Sequence, residues 1–195
     1  MIQKDHYLEI SRKYGHCASW AIWADEGQTP KSNIGDVAIF NLQNNPNLLD
    51  YLNPGVIMVG LNISRNVRNP FGNFHDSRPR AQDYKIRYAF RNTIYYGAYM
   101  TDVIKDFEQV ISGKVVSFLK MNPDLEIRNI SDLRQEIMDL RSANPLIMAF
   151  GNHSFTLLDK HFKNEYRIIK VPHYSKYISK ENYKNEVDEA IESFR

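Results

Sequence analysis

Two runs of apolar residues, more than a hundred positions apart, break off directly into polar side chains. Val56-Ile57-Met58-Val59-Gly60-Leu61 leads into Asn62, Ile63 and Ser64, and the segment ending at Val171 leads through Pro172 into His173, Tyr174 and Ser175. Unbroken, partly β-branched runs of this length suit strands covered on both faces, as in a parallel sheet between helices. Ligands of such sheets bind beyond the carboxyl ends of the strands. Asn62, Ser64, His173 and Ser175 are therefore expected to share one rim.

The rest of the pattern alternates between the two periods. Helical spacing predicts helices over about 4–14, 83–95, 131–142, 153–162 and 180–194, and further strands over 98–101, 146–150 and 167–171. Strands alternating with helices imply βαβ units, hence an α/β fold: a three-layer α/β/α sandwich around a central, mainly four-stranded parallel sheet. One domain, 1–195, is expected, with its core over 55–195. Residues 1–50 read as an N-terminal extension holding the first helix, the aromatic alternation from Ser19 to Ala24 and the short run Val37–Phe40. Closing the site, binding a partner and padding the sheet all remain open as its role.

Composition narrows the function classes. The chain has 195 residues, 43% apolar and 25% charged, which suits one ordinary globular core. No apolar run approaches the roughly 20 residues of a membrane span, and the first residues lack a signal-peptide core, so a cytoplasmic protein without membrane contact is expected. Cys17 is the only cysteine. An internal disulfide, a cysteine zinc site and a four-cysteine iron–sulfur cluster are thereby excluded.

Charge is segregated although the net value is only +2. Residues 65–91 carry seven Lys/Arg against Asp76 and Asp83, and residues 160–184 carry seven against Glu165 and Glu181, each a local +5. Both segments flank the two strand-to-loop breaks, where a polyanion would sit. Ordinary Lys/Arg-rich helix surfaces give the same count.

Taken in order, Gly60-Leu61-Asn62, the loop with Pro70-Phe71 and Phe74, Gly97-Ala98-Tyr99-Met100-Thr101-Asp102, Leu146–Gly151 and His173-Tyr174-Ser175 resemble the uracil-DNA glycosylase superfamily, closest in look to its mismatch-specific uracil/thymine branch. The resemblance spans about residues 55–180 and implies a DNA-binding hydrolase of the N-glycosidic bond that needs no cofactor and no metal. It implies catalytic roles for Asn62, holding the attacking water, and His173, donating a hydrogen bond to the base carbonyl as negative charge develops. Base-binding residues would be Phe71 and Phe74, stacking on the extruded base, with Thr101 and Asp102 shaping the pocket. Phosphate and DNA contacts would come from Ser64, Arg65, Ser175 and Lys176, with Tyr177 as a wedge. The partner would be DNA, single- or double-stranded.

Each residue also has a simpler use. Asn62 suits a turn, Phe71 and Phe74 suit loop anchors, Asp102 suits a helix cap, His75 suits a solvated loop, and Lys176 and Tyr177 suit an exposed surface pair. Ile63 and Tyr174 stand where the family has prolines, which removes two stiff turns. Phosphate loops, dinucleotide fingerprints, nucleophile elbows and zinc-protease motifs are absent, and the six histidines are scattered. A base-excision enzyme, a non-catalytic nucleic-acid or nucleotide-binding domain, and a small-molecule hydrolase using Ser64 or His173 are the classes left.

Overall fold

The computed structural model describes residues 2–194. Its central sheet holds β1 (Ser19–Trp20), β2 (Asn53–Asn62), β3 (Ala98–Ile104), β4 (Leu146–Phe150) and β5 (Ile168–Val171) in the spatial order β1-β3-β2-β4-β5. The last four are mutually parallel; β1 pairs antiparallel with β3 through Ser19↔Met100 and Trp20↔Tyr99. Seven helices surround the sheet: α1 (Lys4–Tyr14), α2 (Leu48–Tyr51), α3 (Tyr84–Phe90), α4 (Ser112–Met121), α5 (Pro123–Asp139), α6 (Gly151–Phe162) and α7 (Lys180–Glu192).

Strand periodicity sorts the core into two layers. Ile57, Val59 and Leu61 of β2, with Tyr99 and Val103 of β3, pack with Tyr7 and Ile10 of α1, Leu133 and Ile137 of α5, and Leu158 and Phe162 of α6. Val56 and Met58, with Ala98, Met100, Met148 and Phe150, pack with Ile86 and Phe90 of α3 and Tyr183 and Val187 of α7. Both faces of a mostly parallel sheet are thus covered, which is why its strands are apolar at successive positions. The expected α/β/α sandwich is observed, with a fifth strand on one edge.

That fifth strand belongs to the first 50 residues, which are integral to the domain. Trp20, Ile22, Phe40 and Leu48 are core residues, and the run Val37–Phe40 forms a 3-10 turn whose Asp36 carboxylate accepts the Ala38 N–H. Among the described residues no helix is long and apolar enough to cross a membrane.

The order β3-β2-β4 places the switch point between β2 and β4: the chain leaves β2 for one neighbour and returns to build the other. A crevice opens there beyond the strand ends.

Candidate functional site

Two adjoining cavities of about 540 and 410 Å³ occupy this end of the sheet and share Ser64, Arg65, Asp83 and Tyr174 as walls. The smaller is lined by Asn62 at the end of β2, Asp102 from β3, Phe150 and Gly151 at the β4–α6 junction, and His173 after β5. Asn62 and His173, distant in sequence, therefore face one space, as expected.

Asn62 is held rather than free. Its Nδ2 donates to the backbone oxygens of Ile63 (3.0 Å), Phe107 (3.2 Å) and Gln109 (2.7 Å), tying down the loop after β3. With the nitrogen committed, the remaining polar atom is the acceptor Oδ1.

His173 is fixed in one tautomer. The backbone N–H of Ser175 points at Nδ1 (3.1 Å), and since that group can only donate, Nδ1 is the acceptor and neutral imidazole carries its proton on Nε2. The Ser175 hydroxyl lies 2.8 Å from the same nitrogen. Burial pushes the imidazole down to about 4, so it is neutral at pH 7. Its ring stacks on Tyr174, centroids 4.5 Å apart and planes 21° apart. Gly151 makes room for it: with φ at +81° the position favours glycine, and a Cβ there would lie 3.1 Å from the His173 Cβ.

The aromatic wall differs from expectation. Phe71 is 1% exposed, stacks among Tyr7 and Phe40 in the opposite core layer, and lines neither cavity. It anchors the loop. Phe74 does reach the larger cavity and groups with Phe150 and Tyr174, centroids 5.4 to 6.2 Å apart. Both loop phenylalanines have positive φ, near 60°, a conformation costing a side chain on the order of 1–2 kcal/mol. The loop is therefore held in shape by its partners, among them Gly15 (Phe71 N to Gly15 O, 2.7 Å), Ser19 (Oγ to Phe71 O, 2.7 Å) and Cys17 (Asn73 Nδ2 to Cys17 O, 2.8 Å).

Thr101 and Asp102 separate because successive strand residues face opposite sides. Thr101 is fully buried, its hydroxyl unpartnered, on the face away from the cavity. Asp102 lines the cavity, 4% exposed, its Oδ2 accepting from Asn73 Nδ2 at 2.8 Å. It does not cap a helix. Opposite it in register stands Gly60, where a Cβ would come within 2.2 Å of Asp102 Oδ1. Burial raises the Asp102 carboxyl to about 6, against the opposing pull of Asn73 and Lys105.

Basic residues contribute less than their count suggests. Arg65 pairs with Asp76 (2.6 Å), Lys85 is buried and donates to Lys176 O, the Arg87 guanidinium binds Ala24 O and Pro30 O, and Arg91 pairs with Asp25. Lys176, expected on a phosphate, is paired with Glu186 at 2.5 Å. Lys160, Lys180 and Lys184 have acidic partners as well. Arg80 on the smaller cavity and Arg68 on the larger make no ion pair among the described residues. Tyr177 is fully exposed at the rim.

His75 is buried between Trp23 and Phe40 and pushed down to about 4, rather than solvated. No group of three potential metal ligands occurs among the described residues. Two site residues escaped the sequence reading. Asp83 precedes a helix and looks like a cap, and Tyr174 occupied a slot noted only for its missing proline.

Comparison with protein-family models, with curated proteins and with solved structures finds no match for this chain.

Proposed function

We propose that the smaller cavity is the active site of a DNA glycosylase-like enzyme that hydrolyses the N-glycosidic bond of uracil or a related damaged base. The observation that carries this reading is the meeting of Asn62 and His173 in one cavity at the switch point, each with a defined polar atom left over. Asn62 Oδ1 is suited to hold a water, and the Nε2–H of neutral His173 is suited to meet an oxygen gaining charge. Phe150 and Tyr174 supply aromatic surface for a base taken out of the stack, and Arg80 is placed to meet backbone phosphate.

A non-catalytic nucleic-acid-binding domain is the second reading, favoured by the Asn62 amide nitrogen's commitment to the 107–109 carbonyls. The Ser175–His173 contact is a weaker base for a small-molecule hydrolase. Nδ1 is already engaged by the Ser175 N–H, so its lone pair is poorly placed to activate the hydroxyl.

Release of free base from an oligonucleotide containing uracil opposite guanine, beside single-stranded and Asn62→Ala controls, tests the proposal. Release lost in the variant supports it; binding without release favours the second reading; neither binding nor release sinks both.

A further inference from the structure

Asn62 and His173 leave one task unassigned. Hydrolysis of a glycosidic bond moves a proton from water toward the departing base, but an amide neither takes up nor gives up a proton near neutrality and the His173 Nδ1 is occupied. Asp83 fits the vacancy. It stands just before α3, where an aspartate ordinarily accepts N–H groups of the first helical turn. Its side chain makes no such bond. Instead Oδ2 turns back to the N–H of Asp76 at 2.8 Å, and the residue, 5% exposed, lines both cavities without an ion pair among the described residues. A buried carboxyl that neither caps nor pairs is costly to keep for structure alone.

We propose that Asp83 is a catalytic proton carrier of this cavity, a role that rests on the glycosylase reading. Protonated Asp83 gives its hydrogen to the departing base as the C1′–N bond breaks and its electron pair leaves with the base. The Asp83 carboxylate then takes a proton from the water whose oxygen bonds to C1′. The base departs neutral, the sugar gains a hydroxyl, and Asp83 returns to its starting form.

Its neighbours arrange this on both sides. Asp102 on β3 and Asp76 on the loop oppose its ionisation, Arg65 and the Asp76 N–H favour it, and burial dominates, raising Asp83 to about 7. Asp102, supported by Asn73 and with Lys105 behind it, is the cavity's other buried carboxyl, and its charge when ionised disfavours ionisation of Asp83. Tyr174 and His173 complete the wall as neutral groups. Asp102 thus acts as a positioning residue through its charge.

The test is kcat for base release between pH 5.5 and 9 for wild type, Asp83→Asn and Asp102→Asn. Asp83→Asn keeps an acceptor for the Asp76 N–H and is expected to lose about 100-fold or more in kcat. Wild-type kcat is expected to fall as pH rises through about 7. Asp102→Asn, whatever its plateau, is expected to move that fall to lower pH, because a like charge has gone. Wild-type base release matched by Asp83→Asn within about threefold overturns the proposal alone, as does a wild-type rate flat across the range. Base release absent from the wild type overturns the glycosylase reading and this role with it. If Asp83→Asn fails to fold, the wild-type and Asp102→Asn profiles decide.

Discussion

Glu136 and Asp102 are both buried acids beside β3, and the protein treats them in opposite ways. Glu136, from α5, receives the Tyr99 hydroxyl at 2.7 Å and the Lys105 ammonium at 2.8 Å, a paired arrangement sealed in the core. Asp102, on the other face, faces a cavity and receives a single neutral donor, as does Asp83 beyond it. A buried acid with a cation and a hydroxyl is part of the scaffold; one left with an amide or a lone N–H is held at a free-energy cost. The difference separates structure from candidate chemistry without any appeal to resemblance.

Breaking the paired side should cost most. Glu136→Ala, leaving Lys105 buried without its partner, is expected to lose about 3–5 kcal/mol of stability, read from the denaturant midpoint. Lys105→Met combined with it should cost less than the two single changes summed.

The unpaired side should show itself through pH. Folding raises the Asp83 carboxyl from 3.8 to about 7, so between those values the folded state binds more protons than the unfolded one, and stability falls as pH rises through the window. The loss is about 4 kcal/mol, on the scale of 1.36 kcal/mol per pK unit. Asp83→Asn should remove that contribution, so that its stability rises relative to the wild type's on going from pH 4 through 5.5 to 7.5 in chemical denaturation. His173 acts in the opposite sense: its folded value of about 4 lies below 6.5, so its contribution is lost as pH falls through that interval. The two contributions oppose each other over overlapping windows, so His173→Gln/Asp83→Asn should return the slope toward that of the wild type, and a double variant sloping like Asp83→Asn alone would contradict the His173 assignment.

Smaller changes sharpen the contrast. Gly60→Ala places a methyl against Asp102 Oδ1 and should destabilise by about 1–3 kcal/mol, a cost that Asp102→Ala in the same chain relieves. At the bottom of the scale, Lys176→Ala removes a half-exposed pair with Glu186 and should change stability by less than about 1 kcal/mol. If the proposed nucleic-acid reading holds, Lys176→Ala should also leave the salt dependence of oligonucleotide binding unchanged, whereas Arg80→Ala should reduce that slope by about 1.

Legibility in the sequence followed the strength of local pattern. α1 appears over the expected residues, and the four parallel strands fall where continuous apolar runs placed them, because two-sided burial leaves an unmistakable signature. β1 has only two residues, too few for any period, and its membership in the sheet depends on β3. α4 and the first turns of α5 were not anticipated; Pro123 reads as a breaker, yet it sits at the start of α5, where a missing N–H costs nothing. The shared placement of Asn62 and His173 in one cavity was legible because each lies at or just beyond the end of a strand. Phe71 and Phe74 were not separable, since three positions in an irregular loop say nothing about which layer each side chain enters. Charge counting failed for a related reason: partners such as Glu126 and Glu186 lie outside the local window on neighbouring helices.

The bonds joining Gly15, Cys17 and Ser19 to the loop of Phe71 and Asn73 bear on how the chain can be divided. A wall of the cavity is borrowed from residues some fifty positions earlier. The shortest autonomous fragment presenting that cavity therefore starts ahead of Gly15 and not near Val56. A nick introduced around residue 45 should be survived by two pieces that stay associated, while neither piece alone keeps the loop in its left-handed shape.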